Sequence, residues 1–488
     1  MTNRQHRRAR RFAAICLVAG FAAAGLTGCA VGPDFQRPVA PDATRYTATA
    51  MAAHTASAPA PFGQAQRLVP GLAIDAQWWR ALGSPALDGL IDEALQASPT
   101  LASARANLRQ AQELVSARSG STQFPQVDVG LGAQRQQSNP SSQGQSGDAR
   151  QFSLYNASVG VHYNLDLAGG NQRALEALAA RADYRRFEWD AARLALAGNI
   201  AAAAITRARL AAQLDATTDI VRAQDEQLRL TNERVRFGQA SPDEVLGLQA
   251  QAEQTRAEQP ALRKQLQQTE HLLAVLAGRA PGAGGVPAFT LSDFTLPADL
   301  PLMVPSELAR RRPDIQAAEA LLHAANADYG VAGARLYPQL NLSASLGSQA
   351  LTAGALFGGG SAVWALVGQI TQPLFNPGLP AEKRAALAAL DAAAAIHIPA
   401  PGPMDTLRAL EGDAQSLAAL AGADSAAQSS LQSVERQYLL GAASYLQLLV
   451  AQQQAQRMRT SLVAAQAQRL VDSVALYQAL GGGVSLGD

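Results

Sequence analysis

Two periodicities alternate along this chain. Gln126-Val-Asp-Val-Gly-Leu-Gly-Ala-Gln134 alternates apolar with polar or small residues, as do Ala157–Leu165 and Leu340–Leu346; Ala362–Leu374 is apolar with a blurred alternation. A period of two predicts strands with two unlike faces. After the second of these runs the pattern changes. Asn171 to Arg236 contains no proline and one glycine, Gly198, amid Ala, Leu, Gln, Arg and Glu, with an apolar stripe through Leu175, Leu178, Leu194, Ile200, Ile205 and Leu210. That predicts one helix about 100 Å long at about 1.5 Å per residue. A return helix is expected from Ser241 to Leu276, kinked at Pro260.

The same plan occurs twice. Gly238-Gln-Ala-Ser241-Pro-Asp-Glu244 reads like Gly441-Ala-Ala-Ser444-Tyr-Leu-Gln447 about 200 residues later, flanked in each copy by helix-forming sequence. The glycine suits the left-handed residue that ends one helix. The serine suits the N-cap of the next, with Glu244 or Gln447 completing a capping box. Further upstream, Ala97-Ser-Pro99 corresponds to Arg311-Arg-Pro313, and Phe124-Pro-Gln-Val127 to Tyr337-Pro-Gln-Leu340. Each unit runs helix, strand, loop, strand, long helix, turn, helix. The loops are 135–150 and 347–360.

Runs of about 9 to 11 alternating residues suit strands tilted across a bilayer, with one face to hydrocarbon and one to water. They also suit a soluble sheet with one wet face. Four strands in hydrocarbon would leave two open edges, each unpaired N–H or C=O costing several kcal/mol. Closure would then take several copies of the chain, three or more for an aqueous conduit, since about eight strands make only a filled barrel. A lipid-tethered periplasmic coiled-coil scaffold is the competing architecture for the long helices.

The N-terminus favours the envelope. Arg4, Arg7, Arg8, Arg10 and Arg11 precede the apolar run Phe12–Ala24 and Leu26-Thr-Gly-Cys29, the order of a secretory signal peptide over 1–28. The Leu-Thr-Gly-Cys quartet resembles a bacterial lipobox, which makes Cys29 the expected acylated first residue of the mature chain. Cys16 lies in the removed segment, so no disulfide forms within the mature chain. Among such lipoproteins, Ala30 in place of aspartate implies the outer membrane.

Composition narrows function mainly by exclusion. With 40 basic and 39 acidic residues the net charge is +1, which recommends no nucleic-acid partner. The six histidines (6, 54, 162, 271, 323 and 397) lack metal-ligand spacing, and no nucleophile elbow or phosphate loop is present. Gly282-Ala-Gly-Gly285 reads as a turn, and Asp92-Glu93 as a solvated helix face rather than an acid–base pair. No enzyme, metal or cofactor is expected.

Three stretches resemble the outer-membrane factors, TolC-like channels of tripartite efflux, in their NodT-like lipoprotein branch: Cys29-Ala-Val-Gly-Pro-Asp-Phe-Gln-Arg-Pro38, the pair Trp78-Trp79, and RRRPDIQAAEALLHAANADYGVAGARLYPQLNLSASLG from Arg310 to Gly347. The resemblance implies a mixed α and β membrane protein. It would be a homotrimer with a 12-stranded barrel in the outer membrane, four strands per chain, continuing into a periplasmic α-helical barrel girdled by an equatorial domain. The implied divisions are 1–28 signal peptide, 29–75 lipid-anchored extended segment, 76–280 first repeat, 281–304 linker, 305–482 second repeat and 483–488 tail. Implied partners are a periplasmic adaptor, an inner-membrane transporter of the RND, MFS or ABC type, and outer-membrane lipid; a type I protein-secretion channel is the alternative role. The resemblance makes Cys29 the lipid attachment and gives Gly238, Ser241, Gly441 and Ser444 the tip turns that meet the adaptor. Tyr438, Leu439 and Leu440 become candidates for an aperture opened by an iris-like movement.

One departure is plain. Ile396-His-Ile-Pro399-Ala-Pro401-Gly-Pro403 falls where the family continues a long helix, and three prolines in five residues cost about 3 kcal/mol each in a helix interior. That stretch is not expected to be ordinary helix.

Overall fold

A computed structural model describes residues 30–39, 52–139, 144, 146, 148–395 and 402–483. Cys29, the signal sequence and the prolines at 399 and 401 lie outside the described residues. The chain divides into two compact units, one of Met1–Pro38, Asn107–Arg185 and Ala317–His397, the other of Val39–Ala106, Arg186–Gln316 and Ile398–Asp488.

The first unit holds one four-stranded antiparallel sheet, ordered β2 (Gln126–Ser138), β3 (Arg150–Leu165), β5 (Gln339–Ala350), β6 (Ala362–Thr371). β2 and β6 are its edges. All four predicted strands form, but their ends differ from the alternating runs. β2 continues to Ser138 and β3 begins at Arg150, because Arg135–Ser138 and Arg150–Ser153 pair across the hairpin. The ladder needs only backbone groups, so it outlasts the apolar pattern. The loops therefore shrink to 139–149 and 351–361. β6 stops at Thr371, short of the predicted Leu374, ahead of Pro373, which has no N–H to donate.

Helices join the sheet at the strand ends away from these loops. α2 (Pro99–Gln123) leads into β2, and α3 (Gly170–Arg236) leaves β3 as a single helix of 67 residues. α6 (Pro313–Ala334) leads into β5, and α7 (Gly378–Ala394) follows β6. The segment 30–37 straps onto this unit. Val31 N–H donates to Ala168 at 2.9 Å, and the buried Arg173 guanidinium donates to the carbonyls of Val31 and Gly32 at 3.3 and 3.2 Å. Asp34 and Glu176 accept from the same guanidinium at 2.6 and 2.7 Å. Glu176 also meets His323 at 2.8 Å, whose ring stacks on Phe35 at 4.3 Å.

The second unit contains the remaining helices: α1 (Pro85–Ala97), α4 (Pro242–Leu276), α5 (Pro305–Arg311), α8 (Pro403–Leu439) and α9 (Tyr445–Ala479), with α3 from Arg186 onward. α4 runs without interruption through Pro260. Where the first repeat has α3, the second has two helices, α7 and α8, on either side of the proline cluster, with Pro403 at the first turn of α8, where its missing donor is harmless.

Trp78 and Trp79, on a 3-10 turn over Trp78–Leu82, are buried at the centre of this unit, and Trp78 stacks on Tyr477 at 5.4 Å. Around them close Leu82, Ile91, Ile200, Phe289 and Leu470, while Ala197, Ala201, Ala204 and Ala208 leave room for neighbouring helices to approach. A parallel pair of β1 (Arg67–Pro70) and β4 (Asp299–Leu302) covers the core. Four-residue strands carry no readable alternation, and the sequence offered no hint of this pairing.

Arg469 of α9 is fully buried and holds the segment before β1. Its guanidinium donates to the carbonyls of Phe62 and Gln64 at 2.7 and 3.0 Å, to Thr55 Oγ1 at 3.0 Å and to Gln66 Oε1 at 2.9 Å. One turn on, Asp472 is buried beside Asp413; burial first, then the neighbouring Asp413 carboxyl, pushes Asp472 up to about 7.

Candidate functional site

Two surfaces bear on function: the faces of the sheet and the helical turns.

The strand register sorts the sheet's side chains. Val127, Val129 and Leu131 of β2 stand opposite Val161, Val159 and Ala157 of β3. Val159, Val161 and Tyr163 stand opposite Leu346, Ala344 and Leu342 of β5. Leu346, Ala344 and Leu340 in turn face Trp364, Leu366 and Ile370 of β6. Side chains alternate between faces, so these residues form one continuous apolar face. Tyr155 and Tyr163 lie eight residues apart on that face, about 26 Å along the strand at about 3.3 Å per residue.

The opposite face is polar or small. Asp128, Gly130, Gly132 and Gln134 oppose Gly160, Ser158, Asn156 and Leu154, and Ser158 and His162 oppose Gly347 and Ser343. Phe152 and Leu154 of β3 and Val363 and Val367 of β6 are its exceptions. On this face His162 Nε2 lies 3.4 Å from Asp128 Oδ2.

A soluble sheet packs its apolar face on a core and wets the other. Here neither face is covered, and the apolar one stands bare: Leu131 is 79 % exposed, Trp364 77 % and Leu366 75 %. Apolar side chains bounded by tyrosines, on strands of 10 to 16 residues, suit a hydrocarbon slab with an interface at each border. No helix among the described residues is long and apolar enough to cross a membrane.

Both predicted turns form. Gly238 and Gly441 have φ of 68° and 73°, the left-handed region that only glycine enters freely. Ser241 Oγ accepts from Asp243 N–H at 3.2 Å while Ser241 N–H donates to Glu244 Oε1 at 3.4 Å. Ser444 Oγ accepts from Gln447 N–H at 3.3 Å while Ser444 N–H donates to Gln447 Oε1 at 2.7 Å. Two copies of one capping box thus start α4 and α9.

The two turns also touch each other. Tyr438 Oη donates to Glu244 Oε2 at 2.7 Å, and the Arg234 guanidinium sits 4.8 Å over the Tyr438 ring. Burial, then the Glu244 carboxylate, pushes the Tyr438 hydroxyl up, which keeps it a donor. Glu244 therefore uses one oxygen to cap its own helix and the other to hold the second repeat. Of the three aperture candidates, Tyr438 is buried in this bond, whereas Leu439 and Leu440 are exposed. Arg234 and Glu244 escaped sequence reasoning as partners of Tyr438. The available signal was an acid three residues into one capping box where its twin has glutamine.

Among the described residues no group of three or more His, Cys, Asp or Glu is placed to hold a metal. Glu93, expected on a solvated helix face, pairs with Arg279 within 2.6 Å.

The sequence profile of the outer membrane efflux protein family matches residues 90–279 and 304–400. The chain is similar to a probable efflux pump outer membrane protein, TtgC, of Pseudomonas putida, with 31 % identity over 474 residues that cover 94 % of this chain and 93 % of the relative. It is also similar to the solved outer-membrane channel OprN, with a TM-score of 0.81, 26 % identity and coverage of 93 % of this chain and 99 % of that one. The solved outer membrane protein VceC of Vibrio cholerae aligns with a TM-score of 0.74 and 26 % identity, covering 84 % of this chain and 99 % of that one.

Proposed function

The chain belongs to the outer membrane efflux protein family, and from that premise we propose that three copies close their four-stranded sheets into one 12-stranded barrel, each β6 edge pairing with the β2 edge of the next copy. The chain is the outer-membrane channel of an efflux pump, a conduit and not an enzyme, which works with a periplasmic adaptor and an inner-membrane transporter. One observation carries the closed-barrel reading. The sheet has a bare apolar face and two unpaired edges, and unpaired backbone groups in hydrocarbon cost several kcal/mol each. A heterologous edge contact that closes after three copies removes every edge and leaves the polar face around a lumen.

The proposed anatomy follows the duplication: a lipid-anchored segment 29–75 after cleavage of 1–28, repeats over 76–280 and 305–482 joined by 281–304, and a tail 483–488. Acylation of Cys29 rests on the lipobox, and the mass of the mature N-terminal peptide tests it.

The turns at Gly238–Ser241 and Gly441–Ser444 are the proposed adaptor contact. The Arg234–Tyr438–Glu244 contact is the proposed latch of the iris: it ties the second-repeat hairpin to the first, and Leu439 and Leu440, bare beside it, line the closed aperture. Loss of one hydrogen bond to a charged acceptor, about 1.5–3 kcal/mol, would shift a closed channel towards open. Tyr438→Phe should raise single-channel conductance in bilayers and leave assembly intact.

Fractionation with native mass measurement tests the whole. The expected result is a trimer that stays in the outer membrane through carbonate washing and after Cys29→Ser. A soluble monomer after Cys29→Ser would favour the tethered scaffold.

A further inference from the structure

The polar face of the sheet carries few ionisable groups. Among the described strand residues they are Asp128 of β2, His162 of β3 and Arg150 at the loop end of β3. Asp128 and His162 lie 3.4 Å apart and both side chains are more than half exposed. His162 also borders a cavity of about 570 Å³ at the helix-proximal end of this face. What meets it there is neutral apart from one cation: Asn341 and Ser343 of β5, Gln369 of β6, Asn164 of its own strand and, from α2, Arg118. Arg118 already donates to Asn171 Oδ1 at 2.9 Å. The rest of the face consists of amides, hydroxyls, glycines and small aliphatic groups, with Leu154 and Phe152 towards the loop end of β3.

Repeated around a three-fold axis, this arrangement places three carboxylates and three imidazoles on one narrow level of the lumen wall. We propose that Asp128 is the charge-selecting ring of the membrane-spanning lumen, favouring cationic solutes. Rings of acidic side chains select cations by raising their local concentration. Each protomer contributes the Asp128 side chain to this level, and Arg118, the one cation at this end of the face, is held against Asn171. The inference rests on the closed-barrel reading and adds to it which residues set selectivity.

The test uses the purified full-length assembly in planar bilayers under a KCl gradient at about 0.01 M, where the Debye length is about 30 Å and the field reaches across the lumen. At about pH 8 the unsubstituted channel should prefer potassium. Asp128→Asn should lower the potassium-to-chloride permeability ratio by at least about twofold. At about 1 M salt the variants should converge, because the Debye length falls to about 3 Å. Cysteine labelling reports on the underlying reading. Ser158→Cys should react with a membrane-impermeant, water-soluble thiol reagent and Val159→Cys should not. Unchanged selectivity in Asp128→Asn with Ser158→Cys labelled would overturn the ring and keep the barrel. Failure to label Ser158→Cys, or labelling of Val159→Cys alone, would overturn the lumen-facing assignment and the ring with it.

Discussion

The helical unit and the sheet unit solve the same problem in opposite ways. In the helical unit the large apolar side chains, Trp78, Trp79, Ile200 and Phe289 among them, are buried by the chain itself, and the buried cation Arg469 finds four acceptors within it. In the sheet unit Leu131, Trp364 and Leu366 face outward and the strands β2 and β6 end in open edges. The first is a core that closes on its own. In the proposed barrel the second is completed by lipid on one side and sister strands at its margins.

Changes that strike the self-contained core should therefore act in any solvent, and changes to the sheet only in a membrane. The largest effect is expected at Arg469. Arg469→Ala leaves Gln66 Oε1 and two carbonyls without their donor and Thr55 Oγ1 with only the Gln66 N–H, at about 1–3 kcal/mol for each unsatisfied group, measurable as a lowered thermal midpoint in detergent and in membranes alike. Next comes the bare face. Leu366→Arg should cost about 2–4 kcal/mol of membrane insertion, read as reduced outer-membrane yield, whereas Ser345→Arg on the polar face should insert normally.

Asp472 gives a third, pH-dependent contrast. Its value in the folded chain, about 7, lies above the ordinary 3.8 because burial and Asp413 disfavour its anion. The folded state thus holds a proton that the unfolded state releases. The contribution is fully present below about pH 4, is lost as pH rises to about 7, and falls by up to about 1.4 kcal/mol per pH unit between. Asp472→Asn should flatten this part of the stability profile, as followed by thermal midpoints from about pH 4 to 8. The smallest effect is local. Gly441→Val forces a β-branched residue to φ near 73° and should cost about 1–2 kcal/mol, seen as faster amide exchange around 437–447 without loss of the core.

The same contrast explains what was legible in the sequence. The capping boxes at Ser241 and Ser444, the left-handed Gly238 and Gly441 and the 67-residue helix are local: each is decided by residues within one or two turns of helix, and each formed where the spacing put it. Strand existence was legible from alternation. Strand ends were not, since backbone pairing carried β2 through Arg135 to Ser138 without help from side-chain pattern. Long-range partners left at most a one-sided trace, such as Glu244 standing where the twin box has Gln447. Nothing near Arg469 points to Thr55, and nothing near Tyr438 points to Glu244, 194 residues away. α7 ends at Ala394 and α8 starts at Pro403, and the proline stretch between them, 396–401, lies outside the described residues.

The strap at 30–37 has a mechanical consequence. Val31 is bonded to Ala168, three residues beyond the end of β3, and Arg173 grips the next two carbonyls. Neighbouring Cα atoms are about 3.8 Å apart, so a pull applied at Ala30 would reach the foot of the sheet with almost no slack, and the strands would move with the start of the strap rather than lag behind it.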